Sequence, residues 1–200
     1  MSENPVTIVA CSVLKGELLA LCREQWPEVS VRFMDSMLHM YPEKLACNLE
    51  PVVAGELAQG RRVLLVYGDC CARMAAMTAQ PHVIRVPGCN CCELLLGRAE
   101  YRRLLREGAF FLMPEWAHRW REVFTVELGL NPENAVSFMR DMHRRLVYLD
   151  TGLEPAPVSA LAGCSAYCGL PYEILPVPLD TMRATVADAI RVLQNQGAPS

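Results

Sequence analysis

Seven short runs rich in Val, Ile, Leu and Phe, separated by longer segments of helical period, constrain this chain more than any other feature. Val6–Ala10, Val29–Met34, Arg62–Tyr67, Val83–Val86, Phe110–Met113, Leu146–Leu149 and Tyr172–Val177 read as strands, because each is β-branched or apolar over strand length. Strands alternating with helices build βα units, and a series of them gives a mainly parallel sheet. The expected fold class is α/β, a Rossmann-like three-layer sandwich with helices on both faces of the sheet. It is expected as a single domain over 1–193, followed by a flexible C-terminal tail at 194–200. A length of 200 residues with a 52% hydrophobic share is enough for one substantial core.

The helices follow from apolar spacing and end signals. Leu14, Leu18, Leu21 and Cys22 share one face of the first helix. Asn48 is read as the cap of a helix that tolerates Pro51 in its first turn and buries Val52, Val53 and Leu57. Asp180 precedes Met182, Val186, Ile190 and Leu193, a last amphipathic helix. In Leu128-Gly-Leu-Asn-Pro, Gly129 suits a C-terminal cap and Asn131-Pro132 a fresh helix start. The Pro-rich stretch at Glu154 is no linker, since a Cys-containing segment, a strand and a helix follow it.

A formal net charge of -3 arises from interspersed acids and bases, with no Lys or Arg run able to track phosphates, so nucleic acid is not expected as a partner. Met1-Ser-Glu-Asn-Pro lacks the order of a secretory signal, and no apolar run approaches the roughly 18 residues of a membrane span. A cytoplasmic location without membrane association is the expectation. Ten cysteines then carry weight, because a reducing compartment keeps thiols available for metals or catalysis.

Ile8-Val-Ala-Cys11, Leu64-Leu-Val-Tyr-Gly-Asp-Cys70, Phe111-Leu-Met-Pro-Glu115 and Val147-Tyr-Leu-Asp150 each end an apolar strand on a polar or thiol residue. In open α/β sheets the carboxyl ends of the strands face a common crevice where ligands bind. Cys11 stands before an apolar-periodic helix, where backbone N–H groups and the helix dipole lower a thiol pKa. Cys70 holds the equivalent place after Gly68-Asp69, with glycine for a tight turn and Asp69 as cap of a helix near Cys71. The densest cluster is Pro87-Gly-Cys-Asn-Cys-Cys-Glu93, in which Gly88 and Asn90 allow unusual backbone angles and Cys91 or Cys89 is the candidate ligand. Thiolates from Cys11, Cys70 and Cys91 can hold a catalytic zinc or a three-cysteine 4Fe-4S iron–sulfur cluster with one position open. These cysteines lack the paired C-x-x-C spacing of a zinc ribbon.

Each candidate has a plainer reading. Cys22 and Cys47, on helices, are taken as packing residues, as free cysteine commonly is. Cys164 and Cys168 stand at i and i+4 and either chelate or pack. Cys71 and Cys92 line the pocket. Glu93 is a candidate catalytic base or ligand partner, or simply a favourable carboxylate in a first helical turn. His118 is a candidate proton donor or fourth ligand, or a half-exposed helical histidine. His39 reaches toward the same mouth, and His82 and His143 read as surface positions. No G-x-G-x-x-G, P-loop, H-E-x-x-H or G-x-S-x-G motif occurs, which removes support for nicotinamide, nucleotide and serine-hydrolase functions.

Ile8-Val-Ala-Cys11 with Leu14 and Glu17, then Val66-Tyr-Gly-Asp-Cys70, Cys91 and Glu93, Pro114-Glu-Trp116 and Leu146-Val-Tyr-Leu-Asp-Thr-Gly152 keep one order across nearly the whole chain. Together they resemble an uncharacterised bacterial and archaeal domain-of-unknown-function family. Its genes often stand beside corrinoid-dependent methyltransferases in methyl-metabolising anaerobes and methanogens. Where that family usually carries His before its cysteine this chain has Asn90, and Cys71, Cys89 and Cys92 are extra thiols. The resemblance implies anaerobic one-carbon (methyl-transfer) or sulfur metabolism, with a small-molecule substrate and a corrinoid protein or methyltransferase as partner. The alternative is a non-catalytic accessory that binds a corrinoid protein or delivers metal in a methyltransferase system.

Overall fold

The computed structural model describes residues 5–196. Its first elements are β1 (Val6–Cys11), α1 (Lys15–Gln25), β2 (Ser30–Met34), α2 (Pro42–Ala58), β3 (Arg62–Val66), α3 (Met74–Thr78), β4 (Val83–Arg85) and α4 (Cys91–Leu96). There follow α5 (Arg98–Arg106), β5 (Ala109–Leu112), α6 (Pro114–His118), α7 (Trp120–Glu122), α8 (Ala135–Met142), β6 (Arg145–Asp150), α9 (Val158–Cys168), β7 (Tyr172–Pro176) and α10 (Asp180–Asn195). Every strand expected from the apolar runs is present, and every strand pairing is parallel. The chain is an α/β protein.

The strands are shared between two sheets, ordered β2-β1-β3-β4 and β5-β6-β7. The chain correspondingly divides into two compact units, one made of residues up to Leu94 and from Asp180 on, the other of Leu95–Leu179. The strand ends at Glu115 and Asp150 therefore belong to a different sheet from Cys11 and Cys70, which corrects the expectation of one mouth for all four. Periodicity identifies a strand by its own side chains; which strands pair is a non-local matter that it does not encode.

In the first unit β1 and β3 are buried along their whole length, which is why they read as unbroken apolar runs, whereas the edge strand β2 is partly exposed. Helix α10 packs across β1, β3 and β4 through Met182, Val186, Ile190 and Leu193, all buried. Each such side chain contributes about 1.5–3 kcal/mol by leaving water. Arg62, 1% exposed, donates from its guanidinium to the carbonyls of Leu193 and Gln196, so the open end of α10 is satisfied from β3. Of the residues expected in the tail, Gln194 and Asn195 continue this helix, Gln196 accepts from Arg62, and 197–200 lie outside the described residues.

Buried Glu56 joins α2 to the sheet, accepting from Thr7 Oγ1 at 2.7 Å, Arg32 Nε at 3.3 Å and Arg61 at 3.3 Å. Helix α2 begins at Pro42 rather than at Asn48, whose side-chain amide instead donates to the Lys44 carbonyl at 2.7 Å. The apolar stripe extends upstream through Leu45, Ala46 and Leu49, and its burial outweighs the backbone donor lost at Pro51 in the interior.

The second unit is centred on β6. Its core gathers Leu146 and Tyr148 with Trp120, Phe124, Leu161, Cys164 and Cys168, and Phe124 meets Phe110 and Trp120 edge-on at 5.5 and 6.1 Å. A π-helical turn at Val123–Glu127 ends before Gly129, whose φ of +63° is the left-handed geometry expected of a terminating glycine. The Asn131 side chain then accepts from the backbone of Glu133 and Asn134, both at 3.0 Å, and the regular turns of α8 start at Ala135. Among the described residues no helix is long and apolar enough to cross a membrane.

Candidate functional site

In the order β2-β1-β3-β4 the chain leaves β1 for one neighbour and later returns to pair on its other side with β3. At such a reversal the loops after the two central strands diverge and leave a crevice at the carboxyl ends. Cys11 is the last residue of β1, and Tyr67 directly follows β3. Because Ala10 stands opposite Val66, these two residues leave the sheet side by side. Both side chains are buried, Tyr67 at 3% exposure.

The loop after β3 carries half-buried Cys70 and buried Cys71, and the loop after β4 leads into α4 at half-buried Cys91. The two loops are pressed together. A Cβ on Gly68 would stand 2.2 Å from the Cys89 carbonyl oxygen and 2.5 Å from Asn90 Cα, so only glycine allows this approach, and Asp69 N donates to the same Cys89 oxygen at 2.9 Å. The φ of Gly68 is not among the positive ones; close approach, not turn geometry, requires the glycine. Arg85 on β4 fixes both loops, donating to the Tyr67 carbonyl at 3.1 Å and the Gly88 carbonyl at 2.9 Å and pairing with Asp69 at 2.9 Å.

The Asp69 carboxylate is thus an ion-pair partner, not the expected helix cap: after Cys70 the chain turns and becomes helical only at Met74. Asn90 does cap, its Oδ1 accepting from Glu93 N at 2.9 Å at the start of α4. The Glu93 carboxylate folds back onto exposed Cys89, accepting from its backbone N at 3.1 Å and its thiol at 2.7 Å. Gly88, at φ +120°, supplies the unusual angle expected of it, while Asn90 has an ordinary negative φ.

The thiols sense one another. Cys91 hydrogen-bonds to the Cys11 sulfur, and that bond, with burial and the charges of Cys11, Cys92 and Cys70, holds its pKa well above the usual thiol range. Burial, and then the neighbouring Cys11, push Cys70 up to about 11, against a hydrogen bond from the Gly68 backbone. Cys92 is pushed up to about 12 by burial and by Cys89. The acidity expected at helix starts is therefore reversed at Cys70 and Cys91: desolvation and crowding of like charges outweigh any dipole. Burial raises the pKa of the Tyr67 phenol as well, with further contributions from the charges of Cys11, Cys91, Cys70 and Cys71. The hydroxyl is buried and finds no hydrogen-bond partner in the protein.

Cys11, Cys70 and Cys91 are thus brought together, with Cys71 beside them. Glu93 belongs to the same loop cluster but is occupied by Cys89. His118 lies in the second unit on α6, with Nε2 3.6 Å from Glu154 Oε2 at the surface. His39 turns its Nδ1 onto the Ser36 carbonyl of a 3-10 turn. His82 and His143, expected at the surface, are half-buried. Cys22 packs inside α1, where burial raises its thiol to about 11, whereas Cys47 is exposed on α2. Cys164 and Cys168 hydrogen-bond one turn apart in the core of the second unit, which raises the first thiol and lowers the second. Tyr67, Gly68 as a contact residue and Arg85 are the members of the site that sequence reasoning missed. A tyrosine closing an otherwise aliphatic strand directly before a Gly-Asp-Cys turn was the available signal.

Among the described residues no group of three or more His, Cys, Asp or Glu side chains already surrounds a single point as metal ligands do. No disulfide joins the ten cysteines, and each thiol of the crevice swings on one bond, χ1. The donor set of three thiols suits a borderline or soft metal and offers a hard cation such as Mg²⁺ little.

Comparisons with curated proteins and with solved structures return no match. A family profile does match, over residues 33–186, a span that holds Tyr67, Cys70 and Cys91 and begins after Cys11. With well over half of its length matched, the chain belongs to the family described as "Protein of unknown function (DUF1638)".

Proposed function

We propose that the first unit builds a metal–thiolate centre from Cys11, Cys70 and Cys91, holding zinc or a three-cysteine iron–sulfur cluster with one position open to a substrate. The observation that carries this reading is the meeting of three thiols, distant in sequence, at the strand-order reversal between β1 and β3. Thiols that raise one another's pKa in a buried crevice are poor packing elements, and a bound cation removes the repulsion by taking them as thiolates. The bound group supplies Lewis acidity or an open iron. The chain's own part is to hold three sulfurs through the Gly68 contact and Arg85, to exclude water by burial, and to keep a proton between Cys89 Sγ and Glu93 Oε2. The centre uses groups of the first unit alone. Anaerobic one-carbon or sulfur metabolism is the setting that the sequence resemblance favours.

Protein purified anaerobically after growth with ample iron and zinc is expected to contain either about one zinc per chain or iron with acid-labile sulfide. Serine at Cys11, Cys70 or Cys91 should remove it. Wild-type protein free of zinc, iron and sulfide refutes the centre. A second reading, an accessory that binds a corrinoid protein or delivers metal, draws on Phe138 and Met142, which stand one turn apart on α8 at 50% and 63% exposure. Retention of a corrinoid protein by the wild type but not by Phe138→Ser/Met142→Ser would support it.

A further inference from the structure

The hydroxyl of Tyr67 is a polar atom that the fold buries and leaves unpaired. Its residue is 3% exposed, the atom is sealed from solvent, and no protein group accepts its proton. Leaving such a group unsatisfied opposes folding, by about 1–3 kcal/mol in general, and a phenylalanine at the same place avoids this. Natural chains concentrate such violations at functional sites. Tyr67 leaves the sheet beside Cys11, since Ala10 stands opposite Val66, and its phenol also feels the charges of Cys91, Cys70 and Cys71. Arg85, which fixes the backbone of this residue, is committed to the carbonyls of Tyr67 and Gly88 and to Asp69.

Resting on the metal–thiolate reading above, we infer that Tyr67 is a ligand-binding residue. Its hydroxyl donates a hydrogen bond to an anion that occupies the open position of the centre. A phenol O–H is a hydrogen-bond donor and selects for a ligand that accepts at or beside its coordinating atom. Cys11 and Tyr67 are both buried, so the ligand meets the hydroxyl at the inner end of the crevice. The class is therefore a coordinating anion that accepts a hydrogen bond, not a cationic substrate. Tyr67 follows β3 directly, so its ring is anchored by the sheet and needs no loop closure to reach the ligand.

The test uses the full chain loaded anaerobically with Co²⁺, whose thiolate charge-transfer and ligand-field bands report the metal, and azide as the probe anion. Wild type and Tyr67→Phe are compared. Co²⁺ affinity is expected to agree within about twofold, and metal-free Tyr67→Phe to be as stable as wild type or more so, since only an unpaired hydroxyl is lost. Azide affinity, read from the shift of the cobalt bands, is expected to fall about tenfold or more, the size of a hydrogen bond to a charged acceptor. Equal azide affinity in the two proteins, or no azide binding to wild type, overturns the inference and leaves the metal centre standing. Loss of stability or of Co²⁺ binding in Tyr67→Phe also overturns it, by giving the hydroxyl a structural role. Failure of wild type to develop thiolate-to-cobalt absorption removes the centre itself, and this inference with it.

Discussion

Gly68→Ala tests most directly how the crevice is held together. The added Cβ would lie 2.2 Å from the Cys89 carbonyl oxygen, against a floor of 3.0 Å that real Cβ contacts respect, so the two loops have to part by at least 0.8 Å. The obstructing atoms are backbone and cannot rotate away. That displacement stretches the Asp69 N to Cys89 O hydrogen bond from 2.9 Å past a useful length. Overpacking of this kind costs about 1–3 kcal/mol and the lost hydrogen bond about 0.5–1.5 kcal/mol. Alanine returns about 0.4–1 kcal/mol by restricting the unfolded chain. The expected net loss is about 0.5–4 kcal/mol, read as a shift in urea midpoint at unchanged slope. The same displacement moves Cys91 relative to Cys70, and metal–sulfur distances tolerate only about 0.2 Å. Zinc affinity, measured by competition with a chromophoric chelator, is therefore expected to fall about tenfold or more, as for loss of a supporting contact in other metal sites. A Gly68→Ala protein with the wild-type midpoint and wild-type zinc affinity would refute both the contact and its role in bringing the thiols together.

Three further outcomes follow from the same structure. Arg62→Leu removes the charged donor at the open end of α10 and should cost about 1.5–3 kcal/mol, with amide exchange accelerated first around Leu193; uniform exchange along α10 would contradict the clasp. Glu56→Ala should destabilise by a similar amount, and a double-mutant cycle with Thr7→Val should show coupling above about 0.5 kcal/mol, since the pair shares a buried 2.7 Å hydrogen bond; additivity would deny it. His143 has its pKa lowered in the folded chain by burial, opposed by a hydrogen bond with the Ala109 backbone. Above its ordinary pKa of about 6.5 both states are neutral; as pH falls below that the unfolded chain takes up the proton first, so stability declines until the folded pKa is passed. His143→Gln should flatten that decline, and an unchanged pH profile would count against the assignment.

The strands were legible because β1, β3 and β6 are buried nearly throughout and their sequences carry no competing period. The candidate thiols were legible for the same reason, each standing just past an apolar run. Their convergence was expected from the strand ends, but not which strand ends share the crevice, because that depends on β3 returning to the far side of β1 and on a second sheet, pairings that no local pattern announces. Asp69 misled because Asp-Cys after a strand has the look of a helix start, while the carboxylate is claimed by Arg85 from a strand sixteen positions on. Tyr67 read as the end of a strand, since its unpaired hydroxyl is visible only once the neighbouring thiols are known. The thiol acidities ran opposite to expectation because a helix end acts on one thiol at a time, and desolvation acts on the cluster.

The first unit is discontinuous, and that has a consequence for how the protein is made. Its closing helix, α10, is translated only after the whole of Leu95–Leu179, on the order of several seconds later at ordinary ribosomal speed. Until α10 arrives, β1, β3 and β4 lack a helix that packs across all three. The inserted segment holds all of its own strands and core, and can condense first. Completion of the first unit thereby waits on synthesis of the segment inserted within it.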